Sequence, residues 1–478
     1  MLALDVARQR GARYADIRIL RIRDEQLRTK NGKVAAVDRT EDMGFGIRVI
    51  AEGAWGFSSS QIVTREEIQR VAAEAVAIAR ASAKVRRRPV EIAAEPPHVD
   101  TWRTPFEIDP FTVPLEEKIA LLFEIDAILR SVSGIKVAEG SMAFNREIQD
   151  FASTEGSYIE QTILRSSAGY AATAVGEGDM QVRSYPTSFS GQTMNKGYEL
   201  IREWKLVANA KRIAEEAVAL LTAPQCPSGD KDIILAGDQL GLQIHESCGH
   251  PIELDRVLGS EANYAGTSFL TLEKLRTLQY GSPIVHLVAD AVSPGGCGTF
   301  GYDDEGVPGQ RWDIVKDGLF VGYLTSRETA AAVGENRSRG TMRADGWNRT
   351  PIIRMNNVSL MPGAWELEDL IKDTADGIYM ETNRSWSIDQ LRYNFQFGTE
   401  IGWEIKNGKK TRLLKNCTYQ GITPEFWNAC DAICKEKYWT LWGTPNCGKG
   451  EPGQVAATGH GASPARFRKV KVGVGYVE

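Results

Sequence analysis

Histidine is scarce in this chain, with five among 478 residues. Two histidines close together therefore carry weight, because an imidazole site has few places to form. Long apolar runs are missing as well. No window approaches the ~20 apolar residues of a membrane span, and Met1 to Tyr14 scatters charges where a secretory signal needs an apolar core. A soluble, cytoplasmic protein with no membrane partner is expected. An excess of one charge is absent too: 57 basic residues face 62 acidic ones, for a net charge of -5. That balance argues against nucleic acid as a partner, and the short basic run Lys84 to Arg88 reads as a solvated helix end. Seven cysteines are few for a disulfide scaffold of this size.

What is present suffices for sizeable cores. With 42% hydrophobic residues, the chain is too long for one ordinary domain. The patterns predict an α+β protein of two domains. Residues 1–225 should form an N-terminal domain of antiparallel sheet and helices. Asn31-Gly32 is a hairpin turn, Gly44 to Val49 pairs with Ala54 to Ser58, and Asn145 to Gln149 is expected to be another turn. Apolar residues recur at helical spacing over Arg65 to Lys84, Leu115 to Ser131 and Leu206 to Leu221. Turn formers from Pro224 to Asp230 mark the boundary. Residues 226–478 should form a mostly β, barrel-like domain that carries one helix capped by Asp238.

That helix leads into the most informative stretch, His245-Glu-Ser-Cys-Gly-His250. A glutamate directly after the first histidine of a close pair is how a hydrolase places two imidazoles on Zn²⁺ with a general base beside them. The spacing is unusual. Each helical residue advances ~100°, so histidines five apart face directions ~140° apart. They can share a metal only if a π-bulge widens the helix or if the helix stops. Gly249 and Pro251 favour a stop, which places His245 and Glu246 in the last turn and His250 in an irregular exit.

Catalytic zinc usually takes three protein ligands. Among the remaining histidines, His286 lies in an apolar run and reads as a packed core residue, and His98 sits in a linker. His460 stands between glycines, where backbone can approach a ligand. Glu253 and Asp255 follow closely enough to orient a ligand from behind. The cysteines Cys417, Cys430, Cys434 and Cys447 are spaced C-x12-C-x3-C-x12-C. They allow two readings: a structural four-thiolate site, or one thiolate, most plausibly Cys447, brought to the histidines on a glycine-flanked loop. Cys430 and Cys434 fall in a helix-like run from Phe426 to Lys437, where they could equally be buried small hydrophobes.

These blocks resemble the TldD/PmbA metallopeptidase family. The resemblance rests on His245 to His250 with Glu253 and Asp255, Asp303-Asp-Glu-Gly306 with Pro308, Gly322-Tyr-Leu324, Arg354-Met-Asn-Asn357 and Pro362-Gly363. It extends to the tail around Gly443 to Gly453 and to Ala15 to Gly56, so it spans nearly the whole chain. The intact histidine motif matches the metal-bearing, TldD-like branch. The resemblance implies a zinc-dependent peptidase acting on unfolded or extended peptides. His245, His250 and Cys447 would hold one Zn²⁺ per active site, and Glu246 would activate the metal-bound water. Glu253, Asp255 and His460 would be supporting or substrate-contacting residues. It also implies a dimer, either of two copies or with a TldE/PmbA-like subunit. The segment Cys417 to Trp442 departs from the shortest family pattern and would be a lid, a substrate wall or a second metal site. The competing function is a non-catalytic scaffold or partner subunit with a structural metal in the cysteine cluster.

Overall fold

The computed structural model describes residues 1–189 and 191–473. Alternation of side chains along Tyr14–Lys30, Lys33–Ala51, Ile135–Ser153 and Tyr158–Gly176 builds a long antiparallel sheet. The Asn31-Gly32 turn closes the first hairpin, and Ala54–Ser60 adds outside it. The helix Arg65–Ala83 begins where Thr64 caps the Glu67 N–H. It buries Val71, Ala72, Ala75, Val76 and Ala79 against Phe45, Ile47 and Val49, and each such valine contributes about 1.5–3 kcal/mol relative to exposure. Helices Leu115–Ser131 and Leu206–Thr222 pack together on another part of the sheet, around Met142, Phe144 and Tyr170.

One expected turn is absent. Asn145 to Gln149 continues one strand, paired on both sides from Glu139 to Ala152. Its polar residues stay in the ladder because neighbours satisfy them: Asn145 donates to Asp24 and accepts from Arg165.

The chain then builds a closed five-stranded barrel from Gly229–Leu235, Asp376–Ile388, Asn394–Lys406, Thr418–Ile422 and Ala465–Val472. Closure comes from the pairing of Asp376–Ile388 with both Gly229–Leu235 and Asn394–Lys406. Phe397, Tyr419, Phe426, Trp427 and Phe467 fill one continuous core with it. This corrects the expectation of an added lid over Cys417 to Trp442: Thr418–Ile422 is a barrel strand, Cys430–Ile433 pairs with Ala465–Val472, and Trp442 lies in the strand Thr440–Lys449 of a neighbouring sheet. Residues Phe426 to Lys437 are not one helix either. A short helix, Thr423–Asn428, gives way to the strand Cys430–Ile433.

A six-stranded sheet stands beside the barrel and ends in the strand Gln454–Ala462 followed by the outer strand Thr440–Lys449. The helix Gly237–Ile244 leaves the first barrel strand and contacts both the barrel and this sheet. Asp238 does not cap it. The cap position belongs to Ala236, and Asp238 lies inside the first turn, where a carboxylate still suits the helix dipole.

Buried charges join the large sheet to the remainder. Arg18 pairs with Asp304 at 3.1 Å, Arg48 reaches Asp16 at 2.7 Å and Glu305 at 3.5 Å, and Arg183 meets Glu400 at 3.1 Å. The Asp303-Asp-Glu-Gly306 block thus serves this junction.

A candidate metal centre between helix and sheet

The helix does not stop before His250. It widens into a π-helical turn over His245–Gly249, and the His250 N–H bonds the His245 carbonyl five residues back. His250 keeps helical dihedrals of -64° and -41° despite preceding Pro251, so the expected irregular exit is corrected. The cause lies in neighbouring groups. Pro251 has no N–H to give to the Ser247 carbonyl, and the Tyr280 hydroxyl donates to that carbonyl at 2.8 Å. The Ser247 hydroxyl donates back to the Gln243 carbonyl at 2.5 Å and accepts from Trp427 Nε1. Gly249 is required by packing, since a Cβ there would lie 2.0 Å from Met355 Sδ.

The wider turn brings both imidazoles to one side, with ring centroids 4.9 Å apart. Cys447 faces them from the outer strand, its Sγ 3.6 Å from His250 Nε2. One ligand atom from each of His245, His250 and Cys447 falls within a 4.8 Å group. These three residues and Glu246 are each at most 5% exposed. Cys447 lies in the strand Thr440–Lys449, next to a register break between Thr444 and Cys447, and not on a free loop.

Hydrogen bonds assign the imidazole tautomers. His460 Nδ1 lies 3.0 Å from the Val358 carbonyl, which can only accept, so that nitrogen carries the proton and Nε2 presents a lone pair. This Nε2 lies 2.7 Å from His245 Nδ1, which must then be the donor. The result is a free lone pair on His245 Nε2. On the other histidine, the Glu253 carboxylate lies 3.0 Å from Nδ1, so His250 also keeps Nε2 for a ligand. Burial lowers the pKa of His245, and lowers those of His250 and His460 well below the ordinary value. All three are thereby held neutral, the form that binds metal.

His460 is no flexible residue: it sits inside the strand Gln454–Ala462 and is fully buried. Asp255 lies one step further out, accepting from Lys449 Nζ at 2.6 Å, and Lys449 in turn stands 3.6 Å from Glu253. Elsewhere His286 is not packed in the core; its side chain is 34% exposed and bonds Asp313. His98 bonds Glu95 outside the site.

The structural four-cysteine site is overturned. Among the described residues the group of metal-ligating type is His245, His250 and Cys447, whereas Cys430 and Cys434 are buried in different apolar clusters and the Cys417 thiol meets that of Cys226. Burial pushes the Cys430 thiol up, and the Cys434 thiol up to about 12. Sequence reasoning missed Arg392, whose guanidinium pairs with Glu246. It lies 146 residues beyond that glutamate, in a barrel hairpin with no motif of its own.

Comparison with known proteins agrees with this architecture. The profile of the PmbA/TldA metallopeptidase C-terminal domain matches residues 228–474, that of domain 1 matches 15–79, and that of the central domain matches 108–222. A metalloprotease of Methanocaldococcus jannaschii is 31% identical over 95% of both chains. A zinc metalloprotease TldD homolog of Saccharolobus solfataricus is 26% identical over 98% of both. Two solved structures share the fold. A Thermotoga maritima protein described as a modulator of a DNA gyrase has a TM-score of 0.75 at 18% identity over 98% of both chains. TldE from Thermococcus kodakarensis has a TM-score of 0.71 at 15% identity, over 98% of this chain and 99% of that one. The chain belongs to the PmbA/TldD metallopeptidase family.

Proposed function

We propose that this protein is a zinc-dependent peptidase acting on extended or unfolded peptides, with one Zn²⁺ held by His245, His250 and Cys447. The observation that carries the reading is the convergence of two neutral, tautomer-fixed imidazoles and a thiol within one 4.8 Å group, with Glu246 adjoining. That donor set fits zinc, and three ligands leave a position for chemistry. Bound there, zinc would polarise a substrate carbonyl and bring the pKa of a water toward ~7.

The protein's own groups divide the remaining work. Glu246 accepts a proton from the attacking water and returns it to the leaving amine. Glu253 and His460 keep the two imidazoles aimed. The outer strand that carries Cys447 offers a place for substrate, because Pro445, Asn446 and Gly448 are exposed along it. An extended peptide adding to that edge is recognised through its backbone, with little sequence preference. The closed barrel offers no such edge. We also infer a dimer, of two copies or with a TldE-like subunit, supported by the fold shared with TldE.

The test is Glu246→Gln. Zinc content by mass spectrometry should stay near one per chain, while hydrolysis of an unfolded casein-type substrate falls by about 10²–10⁴-fold, the usual contribution of a general base. Parental cleavage by the zinc-loaded variant would falsify the assignment of Glu246.

A further inference from the structure

Arg392 has no place in the reading above, yet it makes the direct ion pair with Glu246. Its position is built rather than incidental. The residue sits at the tip of the hairpin between Asp376–Ile388 and Asn394–Lys406 with φ of +65°, a left-handed conformation that a long side chain adopts at a cost. Three bonds hold it there: its N–H reaches the Asp389 carbonyl at 3.0 Å, the Thr423 hydroxyl donates to its carbonyl at 3.0 Å, and Phe269 N–H bonds the Leu391 carbonyl at 2.9 Å. The side chain is largely buried, and its Nε has no hydrogen-bond partner among the described residues. A buried guanidinium with an unused donor is costly unless something else accepts from it. The charge is also close enough to lower the pKa of both His245 and His250, secondary to burial.

The geometry points to Arg392 as a catalytic residue that donates to the scissile carbonyl oxygen as it becomes an oxyanion. This rests on Glu246 as the general base. Water oxygen forms a bond to the carbonyl carbon, its proton passes to Glu246, and the carbonyl π pair moves onto the carbonyl oxygen. Negative charge thus leaves Glu246 and appears on the substrate in the same step. A cation beside both groups loses its first partner as the second one forms, and it needs no large movement to follow the charge. In the reverse exchange the oxygen pair re-forms the carbonyl, the carbon–nitrogen bond breaks and Glu246 protonates the amine. Before substrate arrives, the same ion pair gives the buried Glu246 carboxylate its partner.

A phosphinic peptide, tetrahedral and anionic at the position of the reacting carbon, is the probe. Its dissociation constant is measured by calorimetry on zinc-loaded protein for the parent, Arg392→Lys, Arg392→Met, Glu246→Gln and the double variant Glu246→Gln/Arg392→Met, with zinc content and circular dichroism recorded for each. Arg392→Met should weaken probe binding on the order of 100-fold, as loss of one oxyanion donor does, with zinc content unchanged. Arg392→Lys should recover part of the loss. The weakening should persist in the Glu246→Gln background, because the contact is to the ligand. Equal affinity in parent and Arg392→Met overturns the proposal, as does a loss that vanishes once Glu246 is neutral, which would mean that Arg392 only holds the glutamate. Should Arg392→Met not fold, Arg392→Gln takes its place in both backgrounds, since a neutral side chain removes the charged donor, and affinity equal to the parent's again overturns the proposal. A parent that binds zinc but not the probe defeats the peptidase reading itself, and this proposal with it.

Discussion

Two neighbourhoods of cysteine lie within one short span of sequence and differ in what the sulfur meets. Cys447 stands on an outer strand with its sulfur 3.6 Å from an imidazole, whereas Cys430, on a strand paired with Ala465–Val472, is enclosed by apolar groups. Cys434 shares that second fate in another part of the packing, and the Cys417 thiol meets that of Cys226. Residue type and spacing are the same kind of information in each case. What separates them is the face of the strand on which each thiol lies, and which element packs against that face. A thiol among methylene groups has its charged form penalised and serves as a small hydrophobe.

Mutation can break this comparison at several levels. Cys447→Ala should cost the most, lowering zinc affinity by more than the ~10–100-fold typical of outer-shell partners and abolishing hydrolysis. Cys430→Ala should leave one zinc per chain and lower stability by about 1–3 kcal/mol. Metal analysis paired with urea unfolding reads both, and zinc loss from Cys430→Ala at intact stability would erase the distinction. Next in size is the support behind the imidazoles: His460→Ala and Glu253→Gln should each weaken zinc ~10–100-fold without removing a ligand, measured by competition with a chelator. The smallest effect is a pH dependence of the metal-free protein. Burial lowers the folded-state pKa of His245, His250 and His460, so below ~6.5 the unfolded chain binds protons that the fold refuses. Stability should therefore fall as pH drops from 7.5 toward 5, seen as a decreasing urea midpoint, with a shallower fall in His460→Asn.

Legibility differed by region for physical reasons. The helices Arg65–Ala83, Leu115–Ser131 and Leu206–Thr222 were readable because each buries a single apolar stripe against a sheet. The Asn31-Gly32 hairpin was readable from its turn residues. The strand through Asn145 to Gln149 was not, because polar residues look like a turn until Asp24 and Arg165 are found opposite them. The stretch Phe426 to Lys437 misled in the opposite sense, its helical spacing overridden by strand pairing with Ala465–Val472. Of the candidate site, His245, Glu246 and His250 lie within one short stretch of sequence and could be proposed from it. Arg392 is local to nothing and could be found only through its partner.

By itself the sequence determined which groups were available: few imidazoles, one glutamate set between two of them, and a glycine and proline that exclude a regular helix. Local covalent facts of this kind act through neighbours a few residues away. Tertiary structure decided how they were used. Tyr280, Ser247 and Trp427 satisfy a π-turn where Pro251 had suggested an end, and a carbonyl at Val358 fixes through His460 which nitrogen His245 presents. It also decided which of four clustered cysteines meets the Nε2 of His250, because hydrogen bonding and burial depend on what lies across space.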